Sequence, residues 1–456
     1  MSKSKTVYTC QNCGAQSPKW MGKCPDCNQW NSYVEETYAA PSSGNAARAP
    51  LIDLNPTQPQ PITEISAELG EHISINMPEL DRVLGGGYVP GSAILIGGDP
   101  GIGKSTLILQ TLKNLAQLNK KVLYASGEES AAQIKTRAER LDVHEKSLLV
   151  VTENCLERIL EMIRKHKPDV IAIDSVQTIY SQNLASAPGT VSQVRECAGQ
   201  IITTAKSTGM ACLLVGHVTK DGSLAGPKVL EHMVDCVLYF ESDQGHTFRI
   251  LRSIKNRFGA ANEIGVFEMT GEGLKEVSNP SQLFLSERSQ NTAGSVVVSS
   301  LEGTRPLLLE IQALVTHSGL GTPRRTAIGV DNGRVALLVA VLEKVVGISL
   351  SDQDIFVNVA GGLKVTEPAL DLGISMAIYS SFRNLPIDHK TVFIGEVGLT
   401  GEVRAVNLLD LRLKEAAKLG FAHCFTPQNK SQTKNNIEGL ELHPVKTIEE
   451  CLHQLF

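Results

Sequence analysis

Residues 94–109 read I-L-I-G-G-D-P-G-I-G-K-S-T-L-I-L, and few folds can accommodate that order. An apolar strand at 93–96 runs into a glycine-rich turn and leaves through Lys104, Ser105 and Thr106 into an apolar helix. Gly98 to Ser105 fits G-x-x-x-x-G-K-[ST], a loop whose backbone N–H groups cradle phosphates. Side chains must be absent where those groups converge, hence Gly98, Gly101 and Gly103. Asp99, Pro100 and Ile102 complete the loop around the nucleotide. The helix beginning near Lys104 offers the positive end of its dipole, and Lys104 adds a full charge. The Ser105 hydroxyl suits the shell of a Mg²⁺ ion. The stretch therefore predicts a nucleoside-triphosphatase site that uses ATP and Mg²⁺.

The flanking sequence supplies the rest of an α/β sheet. Short apolar runs at 121–126, 148–152, 168–175 and 211–217 alternate with helical patterns at 130–141, 156–166 and 191–208. Such alternation predicts a parallel sheet with helices on both faces, and ligands at the carboxyl ends of its strands. Asp174 closes the strand V-I-A-I-D and should hold Mg²⁺ beside Ser105. Glu128, in S-G-E-E-S, is placed to polarise the attacking water, with Glu129 as its fallback. His217 ends a third strand and could sense the γ-phosphate; a satisfied core histidine is the competing reading. The small, polar stretches 180–190 and 219–228 read as mobile loops on the catalytic edge. Lys220 and Lys228 on the second are candidates for nucleic-acid phosphates, or else plain surface lysines.

Ahead of this region stand Cys10-x₂-Cys13 and Cys24-x₂-Cys27. Two such pairs offer four thiolates to one tetrahedral Zn²⁺, which a segment this small needs in order to fold. A redox CxxC pair is the weaker alternative because two pairs occur together. Both tryptophans of the chain, Trp20 and Trp30, lie here and are expected to pack the ribbon's core, with a nucleic-acid contact as the second use. The proline- and serine-rich stretch 39–61 lacks apolar periodicity and reads as a flexible tether.

Composition narrows the setting. Among 456 residues, 42% are hydrophobic and 20% charged, as in an ordinary globular protein. No apolar run approaches the ~20 residues a bilayer demands, and the N-terminus lacks a signal-peptide core; a cytoplasmic location without membrane partners is expected. The net charge of −5 argues against nucleic-acid binding by bulk charge, yet leaves basic patches open. The six remaining cysteines are scattered, several in apolar runs, so no disulfides are expected.

A strand-like alternation at 247–256 ends in Lys255-Asn256-Arg257-Phe258-Gly259. Together with the four-cysteine ribbon and the phosphate loop, K-N-R-F-G resembles the bacterial RadA (Sms) family of recombination and repair proteins. The resemblance extends over the whole chain, and its ATPase core is similar to RecA and the ring helicase DnaB. It implies a homo-oligomeric, hexameric ring in which Lys255 and Arg257 reach the nucleotide of the neighbouring subunit. Taken without the family, a strand-end K-x-R is an ordinary solvated pair. The family implies a DNA-dependent ATPase of recombination and repair that moves along single-stranded DNA. It would promote branch migration of intermediates made with RecA recombinase, taking single-stranded and branched DNA as partners.

From about residue 292 a second α/β pattern begins, including a helical run at 332–346. P-L-L-L-E-I-Q-A-L-V, F-V-N-V-A-G-G and G-E-V-G-L-T-G-E-V-R resemble the proteolytic domain of Lon. Lon-type hydrolysis needs a serine activated by a lysine. Alignment places Asp371 at the serine and Asp410 at the lysine, with Ser375 and Lys414 out of register, so an inactive protease fold is expected. Arg324 and Arg325, with Arg334 close behind, form a candidate DNA-backbone patch or a solvated loop. The expected organisation is thus a zinc ribbon (1–36), linker (37–61), RecA-like ATPase domain (62–288) and Lon-protease-like domain (289–456). Two rival functions remain: a nucleotide-switched, DNA-binding scaffold without motor activity, akin to the clock-type RecA-fold ATPases, and an ATP-dependent protease.

Overall fold

The computed structural model describes residues 5–11, 14–38, 61–64, 71–216, 229–241, 248–319, 322–428 and 437–456. These form two compact units that divide between Val277 and Ser278, ahead of the 288/289 boundary expected from the pattern. The residues between belong to the second unit: a short helix, Pro280–Phe284, carries Ser281, whose Oγ accepts from Leu308 N at 3.1 Å. The 39–60 portion of the expected tether lies outside the described residues.

The ribbon is a three-stranded antiparallel sheet of β1 (Lys5–Cys10), β2 (Gln16–Ser17) and β3 (Tyr33–Tyr38), in the order β2-β1-β3. It belongs to the first unit, where Gln11 Oε1 accepts from Val191 N at 3.4 Å. Its small core is made of Cys10, Cys24 and Tyr33, with Tyr8 and Met21 against them. The tryptophans do not supply it: Trp20 is 53% exposed and Trp30 67%. Tyr33 takes the central place because β3 pairs directly with Cys10.

The phosphate loop follows β4 (Ala93–Gly98), at the middle of a nine-stranded sheet. Beyond it come β5 (Val122–Ser126), β6 (Leu148–Thr152), β7 (Val170–Asp174), β8 (Ala211–Val215) and β9 (Cys236–Glu241). These run parallel, ordered β9-β4-β8-β7-β5-β6. Every residue of β4 is buried because both faces are covered. Ile94 and Ile96 pack with α1 (Pro78–Leu84) and α2 (Lys104–Gln117), while Ala93 and Leu95 pack with α4 (Leu156–His166) and α5 (Val191–Thr208). That two-sided burial is why the strand reads as an unbroken apolar run. Each such leucine or isoleucine contributes roughly 1.5–3 kcal/mol. Helix α3 (Ala131–Arg140) lies between β5 and β6 in sequence, and α6 (Val229–Met233) precedes β9.

The strands expected to be parallel are so, and the sheet is extended into a mixed one. β10 (Phe248–Asn256), β11 (Ile264–Thr270) and β12 (Gly273–Glu276) continue it as an antiparallel meander beyond β9. Short turns separate these strands, too short for the helical crossovers that parallel pairing requires.

The second unit is built on a seven-stranded sheet. β13 (Ser295–Glu302) and β14 (Arg305–His317) form a long hairpin. On one side follow β16 (Gln353–Val359) and β15 (Arg325–Ile328); on the other, β17 (Thr391–Phe393), β20 (His423–Pro427) and β21 (Glu441–Val445). β18 (Glu396–Val397) and β19 (Val403–Arg404) pair separately. With Pro280–Phe284 as α7, the helices are α8 (Asn332–Val341), α9 (Asp371–Arg383), α10 (Leu409–Lys418) and α11 (Ile448–Leu455). The helix expected over 332–346 changes at Leu342 into a π turn that ends at Gly347, where φ is +74°. Arg412 is fully buried, donating to Ser299 O at 2.8 Å and Asn407 O at 3.0 Å and pairing with Glu367.

Candidate functional site: a nucleotide edge and a zinc ribbon

Three strand ends converge at the carboxyl edge of the first sheet. β4 delivers the phosphate loop, and Gly98, at φ +151°, lies so close to β9 that a Cβ would meet Phe240 O at 2.8 Å. Lys104, buried at the start of α2, donates from Nζ to Gly98 O at 2.6 Å and Asp99 O at 2.8 Å. These bonds hold the ammonium inside the loop's curve, where phosphate oxygens can replace the carbonyls. Burial pushes its pKa below the ordinary lysine value, and Asp174, Glu128 and Asp99 pull it part of the way back. An anion with several charges suits such a lysine. Ser105 and Thr106 follow in the first turn of α2, whose leading N–H groups have no partner within the helix.

Asp174 ends β7 and is buried. Register sets it beside Ser126, the last residue of β5. Tyr124 Oη, also on β5, donates to Asp174 Oδ2 at 2.6 Å. Burial raises the Tyr124 pKa and the Asp174 charge raises it further, so the phenol remains a donor. Sequence reasoning missed Tyr124; its two-residue spacing from Ser126 was the available signal, since alternate residues of a strand share a face.

The two glutamates after β5 have different surroundings. Glu129 makes a bidentate pair with Arg137 of α3, at 2.7 and 2.5 Å. Glu128 accepts a short hydrogen bond from Ser175, the residue following Asp174. A capping box holds the turn, with Ser130 N donating to Gln133 Oε1 at 2.9 Å. Glu128 is thus the glutamate whose charge reaches Lys104 and opposes the effect of burial on it, while Glu129 is engaged by Arg137 of α3. His217, Lys220 and Lys228 lie outside the described residues. The 180–190 stretch, expected as a mobile loop, is pinned: buried Gln193 donates to Ser181 O, Leu184 O and Ser186 O at 3.2, 3.3 and 2.9 Å.

K-N-R-F-G sits at the opposite edge of the same sheet. β10 runs against β9, so Asn256 pairs with Cys236, which pairs with Ile94 at the start of β4. Gly98, at the loop, pairs with Phe240. Four residues of strand, roughly 13 Å, therefore separate the level of Asn256 from the chain's own phosphate loop. Most of the motif is spent locally. Lys255 Nζ donates to Glu231 O and Val234 O at 2.7 and 2.8 Å, and Asn256 Nδ2 to Val83 O at 3.2 Å. Gly259 abuts Gly85, where a Cβ would lie 2.7 Å from the partner Cα. Arg257 projects, 60% exposed, with Asp235 Oδ1 at 3.7 Å.

In the ribbon, Gly14 N donates to Cys10 O and Asn28 N to Cys24 O, both at 2.9 Å, while Cys10 N donates to Ala15 O and Cys24 N to Gln29 O. Gly14 and Asn28 both take positive φ, +77° and +61°. The two knuckles thus repeat one geometry. Cys10, Cys24 and Cys27 bring their sulfurs within 4.8 Å of one another, with Cys10 Sγ 3.7 Å from Cys27 Sγ. Tetrahedral zinc with Zn–S of about 2.3 Å sets sulfurs roughly 3.8 Å apart, so the donor set fits. Cys13, the fourth expected ligand, lies outside the described residues.

The Lon-like positions and the arginine patch also resolve. Asp371 is buried at the start of α9 and paired with Arg334, whose Nε donates to Oδ1 at 2.8 Å. Arg334 is therefore turned inward as a structural partner and drops out of the DNA patch. Asp410 and Lys414 are exposed on α10, while Ser375 is buried with Oγ donating to Asp371 O at 2.8 Å. Arg324 is bound to Asp354 through Nη2 at 2.7 Å and lies over the Phe356 ring; Arg325 is exposed.

Comparison with known proteins adds to this geometry. Residues 60–223 match the family model of an AAA domain, residues 8–35 a rubredoxin metal binding domain, and residues 321–430 subunit ChlI of Mg-chelatase. The DNA repair protein RadA of Halalkalibacterium halodurans is 52% identical over 452 residues, 99% of each chain. That of Bacillus subtilis is 51% identical over 453 residues, again 99% of each, and that of Streptococcus pyogenes serotype M1 is 48% identical over 456 residues, all of both. A KaiC-like protein of Pyrococcus horikoshii OT3 aligns at 18% identity with a TM-score of 0.39, over 46% of this chain and 99% of that one.

Proposed function

The chain belongs to the family of the DNA repair protein RadA, and from that premise we propose that it is a ring-forming, DNA-dependent ATPase whose nucleotide sites are shared between adjacent subunits. It carries a RecA-like P-loop ATPase core that takes ATP and Mg²⁺, a zinc ribbon and a ChlI/Lon-like second unit. No helix among the described residues is long and apolar enough to cross a membrane.

The observation that carries the proposal is the separation of Arg257 from Lys104 across one sheet. A cation that serves hydrolysis from there must serve the nucleotide of another copy. Within each subunit Lys104 binds phosphate, Ser105 and Asp174 hold the Mg²⁺ that neutralises developing charge, and Glu128 orients water. Lys255, bonded to the end of α6, holds the strand end from which Arg257 reaches the adjoining site. Closing such sites in a circle gives a hexameric ring, and cycling hydrolysis around it moves single-stranded DNA through the centre. In this reading the protein acts in the cytoplasm with RecA, driving branch migration of recombination intermediates. Lys220, Lys228, Arg324 and Arg325 are the proposed phosphate-backbone contacts, with Arg324 steadied by Asp354. Peptide hydrolysis has no support, since Asp371 is engaged by Arg334 and Ser375 by its own helix.

The test mixes two inactive variants. Lys104→Ala should lose ATP turnover, and Arg257→Ala should lose turnover while keeping nucleotide binding. Mixed together, they should recover turnover, because some junctions pair an intact Lys104 with an intact Arg257. No recovery in verified mixed assemblies overturns the shared site. Strand displacement on a forked substrate then separates a motor from a nucleotide-switched scaffold, which should show none.

A further inference from the structure

In the second unit, β20 and β21 run parallel at the sheet's edge, with His423 opposite Glu441 and Phe425 opposite His443. Because alternate residues of a strand share a face, His423, Glu441 and His443 fall on one side of the pair. Their ligand-capable atoms converge. His423 Nδ1 lies 3.2 Å from His443 Nε2 and 3.2 Å from Glu441 Oε2, and His443 Nε2 lies 3.8 Å from the same oxygen. From these contacts we propose that His423, Glu441 and His443 form a second metal site, for a divalent ion of the zinc class, independent of the cysteine ribbon.

Three arguments support it. Ligands about 2.0–2.1 Å from a tetrahedral ion stand roughly 3.3 Å apart, and the triangle 3.2, 3.2 and 3.8 Å matches one face of such a tetrahedron. Two imidazoles and a carboxylate are the donors that zinc, nickel, cobalt and copper prefer, while magnesium and calcium favour oxygens. The rings are also held before any ion arrives: His443 stacks on Phe425 at 4.8 Å, and Phe425 stacks on Phe393 at 5.3 Å. Solvent reaches Glu441, 66% exposed, leaving a path for the ion and open positions for water. An ion there would tie the edge strand β21 to β20.

Zinc equivalents on the untagged full-length chain test this, after chelation and reloading at micromolar Zn²⁺. The expected result is one equivalent for the ribbon and one more that disappears in His423→Ala and in His443→Ala while the ribbon equivalent stays. Cys27→Ser should remove the other. His443→Gln, which keeps a polar group of similar size, should lose the same equivalent with the wild-type circular dichroism, separating ligation from misfolding. Co²⁺ at this site should show d–d bands without the thiolate charge-transfer absorption of the ribbon. A wild type with no equivalent beyond the ribbon's, or an extra equivalent indifferent to both histidines, overturns the proposal.

Discussion

Tyr124 Oη and Asp174 Oδ2 are joined by a 2.6 Å hydrogen bond between neighbouring strands, with both side chains buried. The phenol holds the carboxylate proposed to bind Mg²⁺, so an aromatic residue inside a strand contacts the site one strand away. Tyr124→Phe removes one hydrogen bond and little volume, a loss of about 0.5–1.5 kcal/mol. The Mg²⁺ concentration giving half-maximal ATP turnover should rise about two- to tenfold. An unchanged Mg²⁺ dependence would show that packing alone orients Asp174.

The adjacent glutamates should separate cleanly. Glu128→Gln is expected to bind ATP and to lose turnover by at least ~100-fold, the usual scale of general base catalysis. Glu129→Gln weakens the pair with Arg137, whose two side chains are 26% and 23% exposed, and should cost about 1–2 kcal/mol of stability, with turnover near wild type. Single-turnover hydrolysis beside equilibrium nucleotide binding distinguishes the two. Reversed phenotypes would transfer the water-orienting role to Glu129.

Arg412 tests the second unit. Its removal takes the cation from Glu367, which keeps Leu301 N and Ser300 Oγ as donors, and a donor from Ser299 O and Asn407 O, so Arg412→Ala should destabilise by about 3–5 kcal/mol. Arg412→Met together with Glu367→Leu replaces the pair by apolar groups of similar volume and should recover much of that loss. Thermal unfolding followed by hydrogen exchange in β13 and α10 reads both. Equal destabilisation in the single and double variants would mean that the ion pair itself matters less than the shape of the cavity.

Core thiols set an alkaline limit. Burial pushes Cys197, Cys212 and Cys236 from the ordinary value of 9.0 up to about 12. The unfolded chain therefore releases these protons first. Their contribution is complete below about pH 9 and is lost as pH rises towards 12, by at most ~1.4 kcal/mol per pH unit for each thiol. Denaturation midpoints across that window should fall less steeply in Cys212→Ala than in wild type. In the native protein these thiols should also resist alkylation at pH 8.

The phosphate loop, Asp174 and the paired cysteines were legible in the sequence because each obeys a local rule. A strand, a glycine turn and a helix in that order, an acid at a strand end, and two CxxC knuckles need only near neighbours to be recognised. The alternating runs likewise announced the parallel part of the first sheet. What stayed hidden involved partners far apart in the chain. The tryptophans left the ribbon core to Tyr33 because strand pairing, not hydrophobicity, sets which aromatic faces Cys10 and Cys24. Arg334 turned to Asp371 because a buried carboxylate demands a cation, and nothing in their separate surroundings told of the other.

K-N-R-F-G shows the division most clearly. The sequence by itself determined a basic strand end, and by likeness a partner for some nucleotide. Tertiary structure decided where that strand end lies, since antiparallel β10 carries Arg257 to the edge remote from its own Lys104. It also explains the remaining letters: Lys255 and Asn256 satisfy carbonyls at helix ends, and Gly259 admits the backbone of Gly85. Local chemistry is written in adjacent residues; the direction in which a strand crosses a sheet is settled only when its neighbours pair.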